Sequence, residues 1–137
     1  MRIVIDTNIV VSGYFWHGAP KTVLDLAVAG TLTAFSSPEL LLELHRVLSR
    51  AKFIPLLAKS GDTATQIVHK YAGWVHIVSP MPLSAPVCAD PDDDHVLACA
   101  MAAYADCVVT GDNQFLALGG YQGIEILSTR ELLARLP

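Results

Sequence analysis

The sequence predicts a three-layer α/β domain, a mostly parallel central sheet flanked by helices. Three observations predict it. Short apolar runs rich in β-branched residues alternate with segments of helical periodicity along the chain. The clearest runs, Ile3-Val4-Ile5 and Cys107-Val108-Val109, are apolar at consecutive positions, as strands buried on both faces require. Hydrophobic residues make up 53% of the 137 and charged residues only 16%, which suits a sheet covered on both sides. With no internal repeat and a length typical of one core, residues 1–137 are expected to form a single domain.

The elements follow in order. Arg2 to Asp6 reads as a buried strand with Asp6 at its C-terminal end. Pro20 lies just inside the start of a helix in which Val23, Leu24, Ala27 and Val28 recur at helical spacing, and Gly30 fits its C-terminal cap. Thr31 to Ser36 is a short second strand. Ser37 is an N-cap and Pro38 the first residue of the next helix, whose stripe is Leu40, Leu41, Leu44, Val47 and Leu48. A further helix is expected over Asp62 to Ala72 and a strand over Val75 to Val78, after which Pro80, Pro82 and Pro86 enforce an extended loop. The run Asp90-Pro91-Asp92-Asp93-Asp94 leads into a helix carrying Val96, Leu97, Ala100, Met101 and Tyr104 at helical spacing. Cys107 to Thr110 is a strand broken by Gly111-Asp112, and Ile124 to Leu127 is the last strand. Ser128 with Glu131 three residues on signals a capping box and a final helix.

Composition excludes several classes. Three cysteines, Cys88, Cys99 and Cys107, are odd in number and lack CxxC spacing, so they read as reduced thiols rather than a disulfide framework or zinc site. No run reaches the roughly 20 apolar residues of a membrane span, and the opening residues lack the pattern of a secretory signal, so the expected location is the cytoplasm. No GxGxxG follows the first strand and no P-loop is present, which disfavours dinucleotide and nucleotide binding. A net charge of -4 argues against a nucleic-acid partner unless several acids are gathered around a cation.

The distribution of the acids bears on that condition. Ligands of open parallel sheets bind beyond the C-terminal strand ends, where Asp6 and Asp112 each directly follow an apolar strand. Glu43 lies three residues after Leu40 and four before Val47, at the border of its helix's stripe, where it points partly inward or, like Glu39, into solvent. Asp93 stands four before Leu97 and seven before Ala100, at the start of its helix, where an N-terminal dipole role is the competing account. Asp94 is its rival, about 100° further round the helix. Asp90, before Pro91, belongs to extended backbone that shapes the helix entrance, and Asp92 is expected to face solvent. Carboxylates drawn together repel unless a counter-charge is present, and an all-oxygen donor set favours magnesium or manganese over zinc. His45 and His95 are close to these acids in sequence but are assigned surface or local roles.

Asp6-Thr7-Asn8, Glu43 in the helix opened by Ser37-Pro38-Glu39-Leu40, the Asp-rich start before Val96-Leu97, and Val109-Thr110-Gly111-Asp112 occur in an order and spacing that resembles the PIN-domain family. The resemblance covers nearly the whole chain and is nearest to VapC-type toxin components of bacterial toxin–antitoxin pairs. It implies a metal-dependent endoribonuclease in which Asp6, Glu43, Asp93 and Asp112 hold one or two Mg²⁺ or Mn²⁺ ions, with Asp94 as the alternative to Asp93. It further implies that Thr7, Asn8 and Thr110 position the carboxylates by hydrogen bonds, although turn and cap roles account for these residues equally well. It also implies an antitoxin partner and a homodimer, for which a mean hydropathy of +0.45 leaves apolar surface.

Arg46 and Arg50 lie three and seven positions after Glu43 on roughly the same helical face, and Lys52 extends the patch, so the three are candidate RNA-phosphate contacts or stabilisers of the helix C-terminus. Two other functions fit the sequence less well. A haloacid-dehalogenase-like phosphatase also starts from a strand-terminal Asp but needs a second Asp two positions on, where this chain has Asn8. A non-catalytic PIN-fold interaction module would more often have lost some of the acids retained here.

Overall fold

The structure is a computed structural model that describes residues 1–137. Its sheet has six strands in the order β3-β2-β1-β4-β6-β5, namely β3 His76–Ile77, β2 Thr33–Ser36, β1 Arg2–Ile5, β4 Cys107–Val109, β6 Ile124–Leu127 and β5 Gly120–Tyr121. All neighbours are parallel except β5, which returns antiparallel on β6. Strand order reverses at β1, which pairs with β2 on one side and β4 on the other. The C-terminal ends of β1 and β4 therefore lie side by side, where a doubly wound sheet opens a crevice.

The consecutive apolar residues of each strand divide between two cores, as strand geometry demands. Ile3 and Ile5 of β1, and Cys107 and Val109 of β4, face one core; Val4 and Val108 face the other. The first core is closed by α1 (Thr7–Phe15), α2 (Ala19–Val28), α8 (Thr129–Arg135) and the apolar faces of α3 (Pro38–Leu48) and α5 (Ala64–Trp74). The second is closed mainly by α6 (Pro91–Ala102), through Val96, Leu97, Cys99 and Ala100, and by Phe115 of α7 (Asn113–Leu118). A 3₁₀ turn at Ala51–Phe53 and α4 (Ile54–Ser60) complete the elements.

Local chemistry sets most helix starts. Ser37 accepts a hydrogen bond from the Leu40 amide at 3.3 Å, with Pro38 at the first turn of α3. Ser128 and Glu131 form the expected capping box of α8, and Thr63 and Gln66 form another for α5, which starts two residues later than the periodicity suggests. Gly13 lets α1 and α2 approach closely, since a Cβ there would stand 2.8 Å from the Pro20 carbonyl oxygen.

The structure departs from the sequence reading in several places. Helix α1 begins directly at Thr7, where a β-branched stretch gives no helical signal beyond Asp6 as its N-cap. Helices α4 and α7 and strand β5 are also additional. Val28 and Tyr104 were expected in apolar stripes; Val28 is exposed, and α6 stops at Ala102, leaving Tyr104 at φ 50° and 79% exposed. The cysteines are free thiols, and burial raises all three to about 12. No helix is long and apolar enough to cross a membrane.

Candidate active site

Beyond the ends of β1 and β4 lies a cavity of about 560 Å³ whose lining includes Asp6, Glu43, Asp93 and Asp112. Four separate segments deliver these acids, so the fold and not sequence proximity gathers them. Asp90 and Asp92 add two more carboxylates to the wall. No histidine or cysteine lines it.

Asp6 is fixed most tightly. Its backbone amide continues the β1–β4 ladder by donating to Val109 O at 2.9 Å, and its side chain then caps α1. Oδ1 accepts from the Thr7 amide at 2.8 Å, and Oδ2 accepts from the Thr110 hydroxyl at 2.7 Å. Burial pushes its pKa up; the bonds from Thr110 and Thr7 oppose this, and the charges of Asp112 and Asp90 add to it. Thr110 links both strand ends, because its hydroxyl also accepts from the Asp112 amide at 3.1 Å. Asp112 in turn caps α7, its Oδ1 accepting from the Gln114 amide at 2.9 Å.

Glu43 is 9% exposed, which resolves its placement in favour of the inward position. Burial raises its pKa; the nearby Thr7 side chain and Arg46 lower it, while Asp92 and Asp6 raise it. Asp93 is 8% exposed, and its pKa is pushed up to about 7, first by burial and then by the charges of Asp6, Asp90, Asp112 and Glu43. Helix geometry separates it from Asp94 as the periodicity predicts. Asp94 turns away from the cavity and accepts from the amides of Val87 at 3.3 Å and Cys88 at 2.8 Å, tying down the loop that precedes α6. Asp90 caps α6 by accepting from the Asp92 amide at 2.9 Å, the entrance role expected of it, yet it also faces the cavity. Asp92 is half exposed and pairs with Arg46 at 3.5 Å.

The remaining candidates divide. Thr7 and Thr110 hold carboxylates through hydrogen bonds, but Asn8 is exposed on the cavity wall and bonds to none of them. Arg46, Arg50 and Lys52 all line the cavity, although Arg50 lies beyond the end of α3 and not on its face. Trp16, Phe53 and Leu56, also on the wall, were not anticipated; Trp16 closes a helix that the sequence pattern does not reveal. His45 meets Thr65 at 3.2 Å on the surface, and His95 is exposed.

The acids ring the cavity, and no three of them converge at ligand distance of a common point. The upward shifts at Asp6, Glu43 and Asp93 come first from burial, and neighbouring acid charges add to each. The donor chemistry fits a hard divalent cation, being entirely oxygen.

A mostly parallel sheet with an acid-lined crevice at its switch point defines a PIN-type domain. The sequence pattern of the PIN domain matches residues 2–114, and the chain belongs to that family. Its fold is similar to that in the crystal structure of VapBC2 from Rickettsia felis bound to a DNA fragment from their promoter, with a TM-score of 0.60 over 93% of this chain and 98% of that one, at 18% identity. None of the curated proteins compared with this chain matches it in sequence. PIN domains are typically nucleases, which assigns the chain to the hydrolases at that coarse level.

Proposed function

We propose that the protein is a Mg²⁺- or Mn²⁺-dependent endoribonuclease in which Asp6, Glu43, Asp93 and Asp112 hold the metal. The observation that carries this reading is the delivery of four carboxylates from four segments into one cavity, three of them buried and raised in pKa first by burial and then by neighbouring acids. An acid cluster of this kind destabilises the fold unless a counter-charge is present, and a divalent ion would supply one. A bound ion would supply a Lewis acid that activates water and neutralises charge developing on a phosphodiester.

The chain's own residues supply the rest. Thr110 and the Thr7 amide hold Asp6 in one rotamer, so its oxygens stay aimed when charge changes nearby. Asp112 and Asp90 are pinned as helix caps. Arg46, Arg50 and Lys52 attract RNA phosphates toward a wall that would otherwise repel them. Retention of all four acids in buried or half-buried positions favours an enzyme over a non-catalytic module of the same fold.

The biological setting we assign is the toxin of a toxin–antitoxin pair, acting in the cytoplasm as a homodimer and restrained by a cognate antitoxin protein. The motif resemblance and the fold shared with VapBC2 support this. The test is direct: purified protein should cleave RNA with added Mg²⁺ or Mn²⁺, and Asp6→Asn should abolish cleavage with the circular dichroism spectrum unchanged. Undiminished cleavage in excess chelator or in the variant would sink the mechanism.

A further inference from the structure

One end of the cavity is basic and aromatic, and the carboxylate chemistry leaves it unused. Its two walls are helical stripes. On α1, Asn8, Ser12 and Trp16 line the cavity at four-residue spacing; Glu43 and Val47 of α3 line it at the same spacing, and Arg50, three residues on, lines it just past the end of that helix. Both stripes start among the acids and lead away from them. Asp6 caps α1, so the ten-residue interval to Trp16 places the indole on the order of 15 Å along the trough.

Trp16 is 50% exposed, an unusual state for a large aromatic on a cavity wall. It is braced nonetheless. Its backbone amide donates to Ser12 O at 3.0 Å, its ring meets Phe15 edge-on at 6.0 Å, and Phe15 stacks on Phe53 at 6.0 Å. Arg50 and Lys52 line the same cavity without an acidic partner, the Lys52 ammonium lying 5.1 Å over the ring of Phe53, whereas Arg46 is paired with Asp92. Cations without acidic partners on the same wall as a braced, exposed indole match the needs of single-stranded nucleic acid, in which cations track the phosphates and an aromatic face takes an unpaired base. A duplex keeps its bases stacked on one another and out of reach of the ring.

We infer that Trp16 is a stacking platform for an unpaired base of a single-stranded RNA substrate, a few nucleotides from the bond cut at the acid end, with Arg50 and Lys52 holding the phosphates between. This rests on the nuclease reading above. The specificity of the enzyme is then for unpaired RNA that can thread the trough, and the base seated on Trp16 sets the register of cleavage.

The test has a binding arm and a turnover arm. In a Trp74→Phe chain, Trp16 is the remaining indole. Titration in EDTA with a 2′-O-methyl oligoribonucleotide should quench its fluorescence to saturation, while a hairpin of the same composition should not. In cleavage assays Trp16→Ala should raise KM about tenfold with kcat within about twofold, and Trp16→Phe should restore most of the loss. The half-exposed position lets the variants fold, which thermal melts check. No quenching together with an unchanged KM in Trp16→Ala overturns the platform, even where the unaltered chain cleaves RNA normally. A Trp16→Ala chain that keeps its KM but loses a co-purifying protein overturns it too, and makes the wall a protein-docking surface. Failure of the unaltered chain to cleave any RNA strikes the nuclease reading instead; the quenching arm, which needs no turnover, still decides the platform.

Discussion

Replacing Asp93 with Asn should make the metal-free protein more stable at alkaline pH, not less. The carboxyl is buried among four other acids and titrates near 7 in the fold, against an ordinary value of 3.8. Its ionised form is therefore disfavoured in the folded state. The sign follows from linkage: the stability associated with this group is fully present below about 4, where both states are protonated, and is lost as pH rises through about 7. At about 1.4 kcal/mol per pH unit, the interval corresponds to a ceiling of about 4 kcal/mol at pH 8.5. The carboxyl faces a cavity open to solvent, which screens much of that, and the charge also favours the N-terminus of α6, so the expected gain is about 1–2 kcal/mol. Urea unfolding in EDTA measures it, with Asp93→Asn ahead of the parent at pH 8.5 and the gap shrinking as pH falls towards 4. Adding Mn²⁺ should reverse the order, because an ion held at 100 times its Kd stabilises the parent by about 2.7 kcal/mol and the variant hardly at all. A variant less stable than the parent at pH 8.5 in EDTA would show that burial and the neighbouring acids do not disfavour the ionised carboxyl as described.

Two further outcomes probe the groups around the cluster. Thr110→Val removes the hydroxyl that joins Asp6 Oδ2 to the Asp112 amide, so the Asp6 pKa should rise further; cleavage should drop about 10- to 100-fold, its acid limb should move to higher pH, and Thr110→Ser should recover both. Arg50→Gln should weaken binding to single strands of any sequence alike and reduce the slope of log affinity against log salt by about 0.7, as loss of one phosphate contact requires.

Much of the site was legible in the sequence because its acids stand at positions that local rules address. Asp6 and Asp112 follow buried strands, and a strand's end lies at the sheet edge whatever the helices do. Helical periodicity separates Asp93 from Asp94, but it leaves Glu43 on the border of its stripe, and only the packed fold turns that carboxylate inward. The trough was harder to see. Helix α1 begins with Thr7 and carries Ile9, Val10 and Val11, residues whose own preference is for strands, and tertiary packing against α2 overrides it. Missing that helix hid the stripe that ends on Trp16. Arg50 shows a related limit, since its spacing from Glu43 puts it on the right side although α3 has already ended at Leu48. Strand β5 is two residues long and depends on its turn, with Gln122 and Gly123 at positive φ, rather than on any apolar pattern.

The central claim is that the carboxylates hold a divalent ion through Asp93 while Asp94 serves the neighbouring loop. Mn²⁺ binding followed by electron paramagnetic resonance tests it most directly. The unaltered chain and Asp94→Asn should bind Mn²⁺ with similar affinity, and Asp93→Asn should weaken binding at least about tenfold. Equal binding by all three proteins, or a larger loss in Asp94→Asn than in Asp93→Asn, would contradict it.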